Sequence, residues 1–200
     1  MIIETDRLII REFENNLRYQ NALVGNMNHK GIADNLSDVK YPYTKQCARE
    51  FLKECVRESK EDPRRFYNMA MQLRKEKRVI GCLELAVDEH KQDMAAGISF
   101  WQGPGYCGKG YMGEALQSWF KFAFEDLGLR RIEAVADKYN EKSIALLGKI
   151  GMRIEGESPQ NFVSISNGQL HDAIFLGMLK HEYDAVKDSW PERFAYKPKV

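Results

Sequence analysis

One stretch, Trp101-Gln102-Gly103-Pro104-Gly105-Tyr106-Cys107-Gly108-Lys109-Gly110-Tyr111, holds the densest chemical signal in the chain. Four glycines within eight residues lead straight into an amphipathic run. Glycine reaches positive φ at little steric cost and lets a ligand come close to the main chain. The first turn of a helix adds N–H groups without intrahelical partners and the positive end of the helix dipole. The combination is an anion site, suited to phosphate or pyrophosphate. A Walker loop needs Lys followed by Ser or Thr at the helix start, whereas Lys109 is followed by Gly110 and Tyr111. Gly103 to Gly108 spells G-x-G-x-x-G, but Pro104 and the antiparallel hairpin before it suit a dinucleotide-binding turn badly. Two readings remain: a G-x-G loop ahead of a long helix that grips a phosphate, or a glycine-rich turn that holds nothing.

Other reactive side chains are scattered. Asn140 is placed to cap a short helix, with Ser143 three residues further on. Glu84 and the adjacent His171–Asp172 could do acid–base work, and each could equally be solvated or salt-bridged. The cysteines Cys47, Cys55, Cys82 and Cys107 form no C-x-x-C pair and have no histidine at metal-ligand spacing. That argues against a zinc site and a disulfide framework, and for a reducing cytoplasm. Cys47 and Cys55 are expected as small buried hydrophobes on one helix face. Cys107, at a helix start, is expected to serve loop packing.

These residues need a scaffold, and apolar periodicity supplies one. A first strand is expected at 7–13. Ala48, Phe51, Leu52, Cys55 and Val56 recur at helical spacing within 44–60. Residues 66–73 and 79–87 alternate as the two strands of a hairpin, and 94–101 follows a polar turn at Asp88 to Asp93. From Met112, the positions Ala115, Leu116, Trp119, Phe120, Ala123 and Leu127 make one helix stripe, which Gly128 ends. A strand at 130–136 and a helix at 141–150, closed by Gly151, come next. Runs near 152–156, 161–166 and 173–179 suggest closing strands about an Asn167–Gly168 turn. The strand at 94–101, the long helix and the strand at 130–136 form a β-α-β unit, which should be parallel with a right-handed crossover. The expected fold is one α/β domain with a mixed sheet.

The chain has 200 residues, of which 44% are hydrophobic and 30% charged, the balance of a globular domain rather than of a disordered or fibrous chain. Thirty basic against twenty-nine acidic residues leave a net charge of +1, so no global field recruits nucleic acid or an anionic membrane. No apolar run reaches the roughly 20 residues of a membrane span. The opening MIIETDRLIIREF lacks the uninterrupted apolar stretch of a signal peptide.

The runs ISFWQGPGYCGKGYMGEAL and LGLRRIEAVADKYNEKSIALLGKIGMRIEGE resemble the GNAT superfamily of acetyl-CoA-dependent N-acetyltransferases. Within it they resemble the branch of ribosomal-protein N-terminal acetyltransferases, the RimJ/RimL type, as do ETDRLIIREF and VIGCLEL. The likeness covers most of residues 4–178 and is weakest in 14–65. It implies a mostly antiparallel sheet with a splayed parallel strand pair and flanking helices, in a transferase domain at 1–180 with a tail at 181–200. It places the family's pyrophosphate loop on Gly105 to Gly110, with Gly105 where a Gln or Arg is customary. Main-chain amides of Tyr106, Cys107, Gly108, Lys109, Gly110, Tyr111 and Met112 would hold the coenzyme. Phe100 and Trp101 would pair with its pantetheine arm by strand addition, and Asn140 and Ser143 match the family's Asn-x-x-Ser.

The implied reaction moves an acetyl group from acetyl-CoA to a primary amine in a ternary complex, without a metal. Leu147 stands where many relatives place a proton-donating tyrosine, which leaves Ser143 as the donor to the departing thiolate. Gly97 and Phe162 replace glutamates used by relatives, leaving Glu84 and His171–Asp172 as candidate bases. A missing base favours an α-amine, whose pKa is about 7.7–8.0, over a lysine at about 10.4. The acceptor is therefore expected to be a peptide or protein N-terminus, or else a small-molecule amine (aminoglycoside, polyamine or amino acid). A noncatalytic acyl-CoA sensor is the rival from another class. Charges in 14–65 are mixed: Asp34, Asp38, Glu50 and Glu54 against Lys30, Lys40, Lys45 and Arg49. The tail is expected to cover a sheet edge or to meet a second copy in a homodimer.

Overall fold

The structure is a computed structural model, and it describes residues 1–36, 39–87 and 94–191. One eight-stranded mixed sheet runs through it, in the order β1-β2-β3-β4-β5-β6-β8-β7. The N-terminal half of the sheet comprises β1 (Ile2–Glu4), β2 (Leu8–Glu12), β3 (Phe66–Leu73), β4 (Val79–Val87) and β5 (Ala95–Gln102). All of these pair antiparallel with their neighbours. β6 (Arg131–Asp137) joins β5 in parallel, and β8 (Leu170–Leu179) and β7 (Arg153–Val163) complete the sheet antiparallel. The mixed, mostly antiparallel sheet with one parallel pair is the expected architecture.

Helices cover both faces. On one, α4 (Tyr111–Lys121) and α5 (Glu141–Ile150) pack over Ile10, Met71, Leu83, Ile98, Ile132 and Leu176. On the other, α1 (Leu17–Met27) and α3 (Lys45–Glu58) pack over Ala70, Val79 and Cys82, with the short α2 (Lys30–Ala33) between them in the chain. Alternation along the strands sorts the two sets of side chains. Leu83 and Leu85 of β4 belong to the α4 face, whereas Cys82 belongs to the α1–α3 face.

Several expectations shift. The first strand is a hairpin, because Thr5 turns the chain through its amide bond to the Leu8 carbonyl and frees Ile2–Glu4 to pair with β2. The long helix changes pitch at residues 122–126, where Leu127 donates to Phe122 five residues back. That π turn buries Phe122, Ala123 and Phe124 in succession, which a single α-helical stripe could not do. The separate runs at 152–156 and 161–166 are one strand, β7, with two register shifts against β8. The run at 161–166 enters the turn, since Ser164 accepts from the amide of Gly168, whose φ is +71°. Cys55 is buried, but Cys47 is partly exposed, eight residues being about 80° out of phase on a helix. The tail begins with α6 (Lys180–Val186), whose Tyr183 is buried against Phe124 and Trp190. The turn at Asp88 to Asp93 and residues 192–200 lie outside the described residues. No helix among the described residues is long and apolar enough to cross a membrane.

Candidate active site

β5 and β6 pair only from Ala95 opposite Arg131 to Ile98 opposite Ala134. β5 then stays with β4 as far as Gln102, and β6 stays with β8 as far as Asp137. The strands therefore splay beyond Ile98, opening a gap in the sheet beside Ser99, Phe100 and Trp101. Peptide groups on the gap-facing edges lose their strand partner, which makes them available to an extended ligand.

The glycine-rich loop closes one end of this gap. Gly103 donates to the Ile80 carbonyl, and Pro104–Tyr106 forms a short 3-10 turn. The Tyr106 and Cys107 amides are spent within that turn, on Gly103 and Pro104. The amides of Gly108 through Gly113 make no main-chain hydrogen bond among the described residues, and Glu114 resumes the helix by donating to Gly110. The open donors thus begin at Gly108, two residues later than expected for the amide cradle. Gly108 and Gly110 both hold φ of +76°, and a Cβ added at Gly108 would enter open space above the loop. This is a row of open N–H groups at a helix start, a position that favours an anion.

A clamp that no local motif announces holds the loop. Glu114, 4% exposed, takes the Thr5 hydroxyl at 2.6 Å, the Arg7 amide at 2.9 Å and Arg7 Nε at 2.6 Å. The same guanidinium donates to the Lys109 carbonyl at 2.9 Å and lies over the Tyr111 ring. A Cβ at Gly103 would displace the Asn26 side chain, whose Nδ2 donates to the Val79 carbonyl at 3.2 Å.

On the α1–α3 side the gap opens into a cleft of about 560 Å³. Its walls come from Met27, Tyr43, Cys47, Glu50 and Phe51 of the helical cap, Glu84, Ser99, Phe100 and Trp101 of the sheet, and Asp137, Asn161 and Phe162 beyond the gap. Of the mixed charges in 14–65, only Glu50 and Lys40 line it; Asp38 lies outside the described residues. Among the described residues, Glu84 and Asp137 bring the cleft's carboxylates to three against one ammonium. Thr44 caps α3 and donates its hydroxyl to Cys47, lowering that thiol's pKa, whereas burial raises those of Cys55 and Cys82.

Candidate residues fall into separate places. Glu84 lies in the cleft, and its carbonyl receives Trp119 Nε1 from α4 at 3.4 Å. Ser143 is not a cleft-lining residue; it sits in the first turn of α5, its amide donating to Asn140 Oδ1 at 3.3 Å. His171 and Asp172 do not act together. Neighbours in a strand face opposite sides, so Asp172 accepts from the Gln160 amide while His171 Nδ1 meets Asp137 Oδ2. No group of three or more metal-ligating side chains occurs among the described residues.

The splayed parallel pair, with open amides at one end and a cleft beside it, is the arrangement that the sequence resemblance implied. Residues 7–153 match the acetyltransferase (GNAT) domain family, and the chain belongs to it. It is 35% identical over 80 residues to spermidine N(1)-acetyltransferase of Escherichia coli (strain K12), covering 40% of this chain and 42% of that protein. The chain's aligned stretch spans about half, or less, of the length of the curated relatives it matches. The fold is shared with ribosomal-protein-S5-alanine acetyltransferase from Vibrio fischeri, with a TM-score of 0.77, 19% identity, and 92% of this chain and 98% of that one covered. Spermidine N-acetyltransferase from Vibrio cholerae, in complex with CoA and spermine, superposes with a TM-score of 0.73 at 18% identity over 88% of this chain and 98% of that one.

Proposed function

We propose that the protein transfers an acetyl group from acetyl-CoA to a primary amine by direct attack within a ternary complex. The observation that carries this reading is the splay of β5 from β6 between an open amide cradle and a carboxylate-lined cleft. The amides of Gly108 to Gly113 would hold the diphosphate, and the pantetheine arm would follow the freed edge near Phe100 and Trp101 toward the gap. Asn140 and Ser143 would face the coenzyme side, with the Ser143 hydroxyl donating to the departing thiolate. A thiol of pKa about 8.5 leaves readily enough that a hydrogen bond suffices. Glu84 would meet the acceptor in the cleft.

Three carboxylates against one lysine favour a cationic acceptor. Both acceptor classes considered from the sequence, a peptide or protein N-terminus and a polyamine, are cations at neutral pH. The known proteins sharing this fold include one named for a ribosomal protein and one bound to spermine. The small polycation is the better match to the cleft, because every added charge gains from the surplus of carboxylates. We place the activity in residues 1–180.

The test is incubation with acetyl-CoA and a panel of polyamines, amino acids, aminoglycosides and N-terminal peptides, followed by thiol release and mass spectrometry. Acetylated polyamine is the expected product. Coenzyme binding without turnover on any amine would instead identify a noncatalytic acyl-CoA sensor.

A further inference from the structure

Asp137 ends β6 on the cleft wall and is 4% exposed. Its Oδ1 accepts from the Tyr139 amide at 2.6 Å, while Oδ2 is in close contact with His171 Nδ1. Phe162, itself a cleft residue, stacks on the imidazole with ring centroids 5.2 Å apart and planes 17° from parallel. His171 Nε2 is buried and has no hydrogen-bond partner among the described residues. A polar atom kept dry and unpartnered costs stability, so the arrangement is poor as a mere latch between β6 and β8. It suits an imidazole whose inner N–H is fixed on a carboxylate that lines the cleft.

We propose that Asp137 and His171 form the acceptor-side proton relay, a proposal that rests on the amine-acetylation reading above. The acceptor ammonium meets the Asp137 carboxylate in the cleft. One N–H bond breaks, and its proton passes to the Asp137 carboxylate, which the His171 Nδ1–H holds in place, so the pair passes from a net charge of −1 to 0. The freed nitrogen lone pair forms the C–N bond at the thioester carbonyl. The C–S bond then breaks, and the thiolate sulfur takes the second proton lost by the nitrogen. Release of the relay's proton to solvent restores the starting state. Asp137 would be the catalytic group, and His171 a positioning residue acting through it.

Glu84, Glu50 and Lys40 are the other charged residues that line the cleft with Asp137, among the described residues. Just past β6, Lys138 is bonded to Glu157 and lies 3.8 Å from Asp172, a cluster of one cation and two carboxylates.

The experiment compares wild type, Asp137→Asn and His171→Asn in kcat and KM for the amine and for acetyl-CoA, from about pH 6 to about pH 10. Melting temperatures are read alongside. Asp137→Asn should lose about 100-fold in kcat at neutral pH, and His171→Asn about 10-fold, with KM for acetyl-CoA unchanged. Both variants should recover toward the wild-type rate as alkaline pH supplies free amine. A wild-type pH profile in His171→Asn overturns the relay alone. So does a loss that is uniform across pH and tracks a fall in melting temperature. Wild type inert toward every amine overturns the proposed function, and the relay with it.

Discussion

Arg7 Nε bonds Glu114 Oε2 at 2.6 Å across 107 residues of chain, tying the N-terminal hairpin to the first turn of α4. Because the same guanidinium holds the Lys109 carbonyl, the hairpin braces the glycine-rich loop that precedes the helix. Glu114 is almost wholly buried, so removing its cation leaves a desolvated carboxylate with neutral partners only. Arg7→Met should cost about 1–3 kcal/mol in urea unfolding. It should also weaken acetyl-CoA binding, as read by isothermal titration. Unchanged affinity in a destabilised variant would show that the clamp serves folding and not the loop.

The loop glycines differ in what they tolerate. Gly108→Val or Gly110→Val should abolish coenzyme binding, since both positions hold φ of +76° and a β-branched side chain would cover the amide row. Gly105→Ala should bind normally, because Gly105 is not in the left-handed region and an added Cβ meets nothing within 4 Å. Equilibrium titration of all three variants checks the contrast. Retained affinity in either valine variant would remove the proposed pyrophosphate site.

Ser143 and Glu84 sit on different sides of the gap and should fail differently. Ser143→Ala is expected to lower kcat by about tenfold while leaving the affinity for acetyl-CoA nearly unchanged. Glu84→Gln should raise KM for a cationic amine without changing KM for acetyl-CoA, as befits a cleft carboxylate. Steady-state kinetics with each substrate varied in turn separates the two effects.

Glu58 provides a pH test of stability. Burial holds its pKa above the ordinary carboxylate value, against the opposing hydrogen bond from Asn68 Nδ2 at 2.9 Å. With the folded pKa raised, the stabilising contribution is complete below the unfolded pKa near 4.3 and is lost as pH rises through the folded value. Glu58→Gln removes this loss and offers a donor to the buried, unpartnered Asn68 Oδ1. Its melting temperature should exceed that of wild type by about 2–4 °C near pH 8. The advantage should shrink toward pH 4, and a constant difference across that range would contradict it.

Local rules made much of the site legible. Glycine at positive φ, a cap on α5 at Asn140 and the α4 stripe as far as Phe120 each depend on residues a few positions apart, and the structure places them as the sequence indicated; beyond Lys121 the π turn breaks the stripe. Which amides stay open was less legible, because Tyr106 and Cys107 are consumed by a 3-10 turn that glycine spacing does not reveal. The charges of 14–65 could not be sorted by composition, since only the fold decides that Glu50 and Lys40 face the cleft.

By itself, the sequence determined most of the elements, the glycine-rich loop ahead of α4 and the family. Tertiary structure alone decided that His171 serves Asp137 and not adjacent Asp172, and that Arg7 reaches Glu114. The physical reason is register. Pairing β6 with β8 aligns Asp137 with Ala173, which brings His171, two residues away on the same face, against Asp137 and turns Asp172 to the other side.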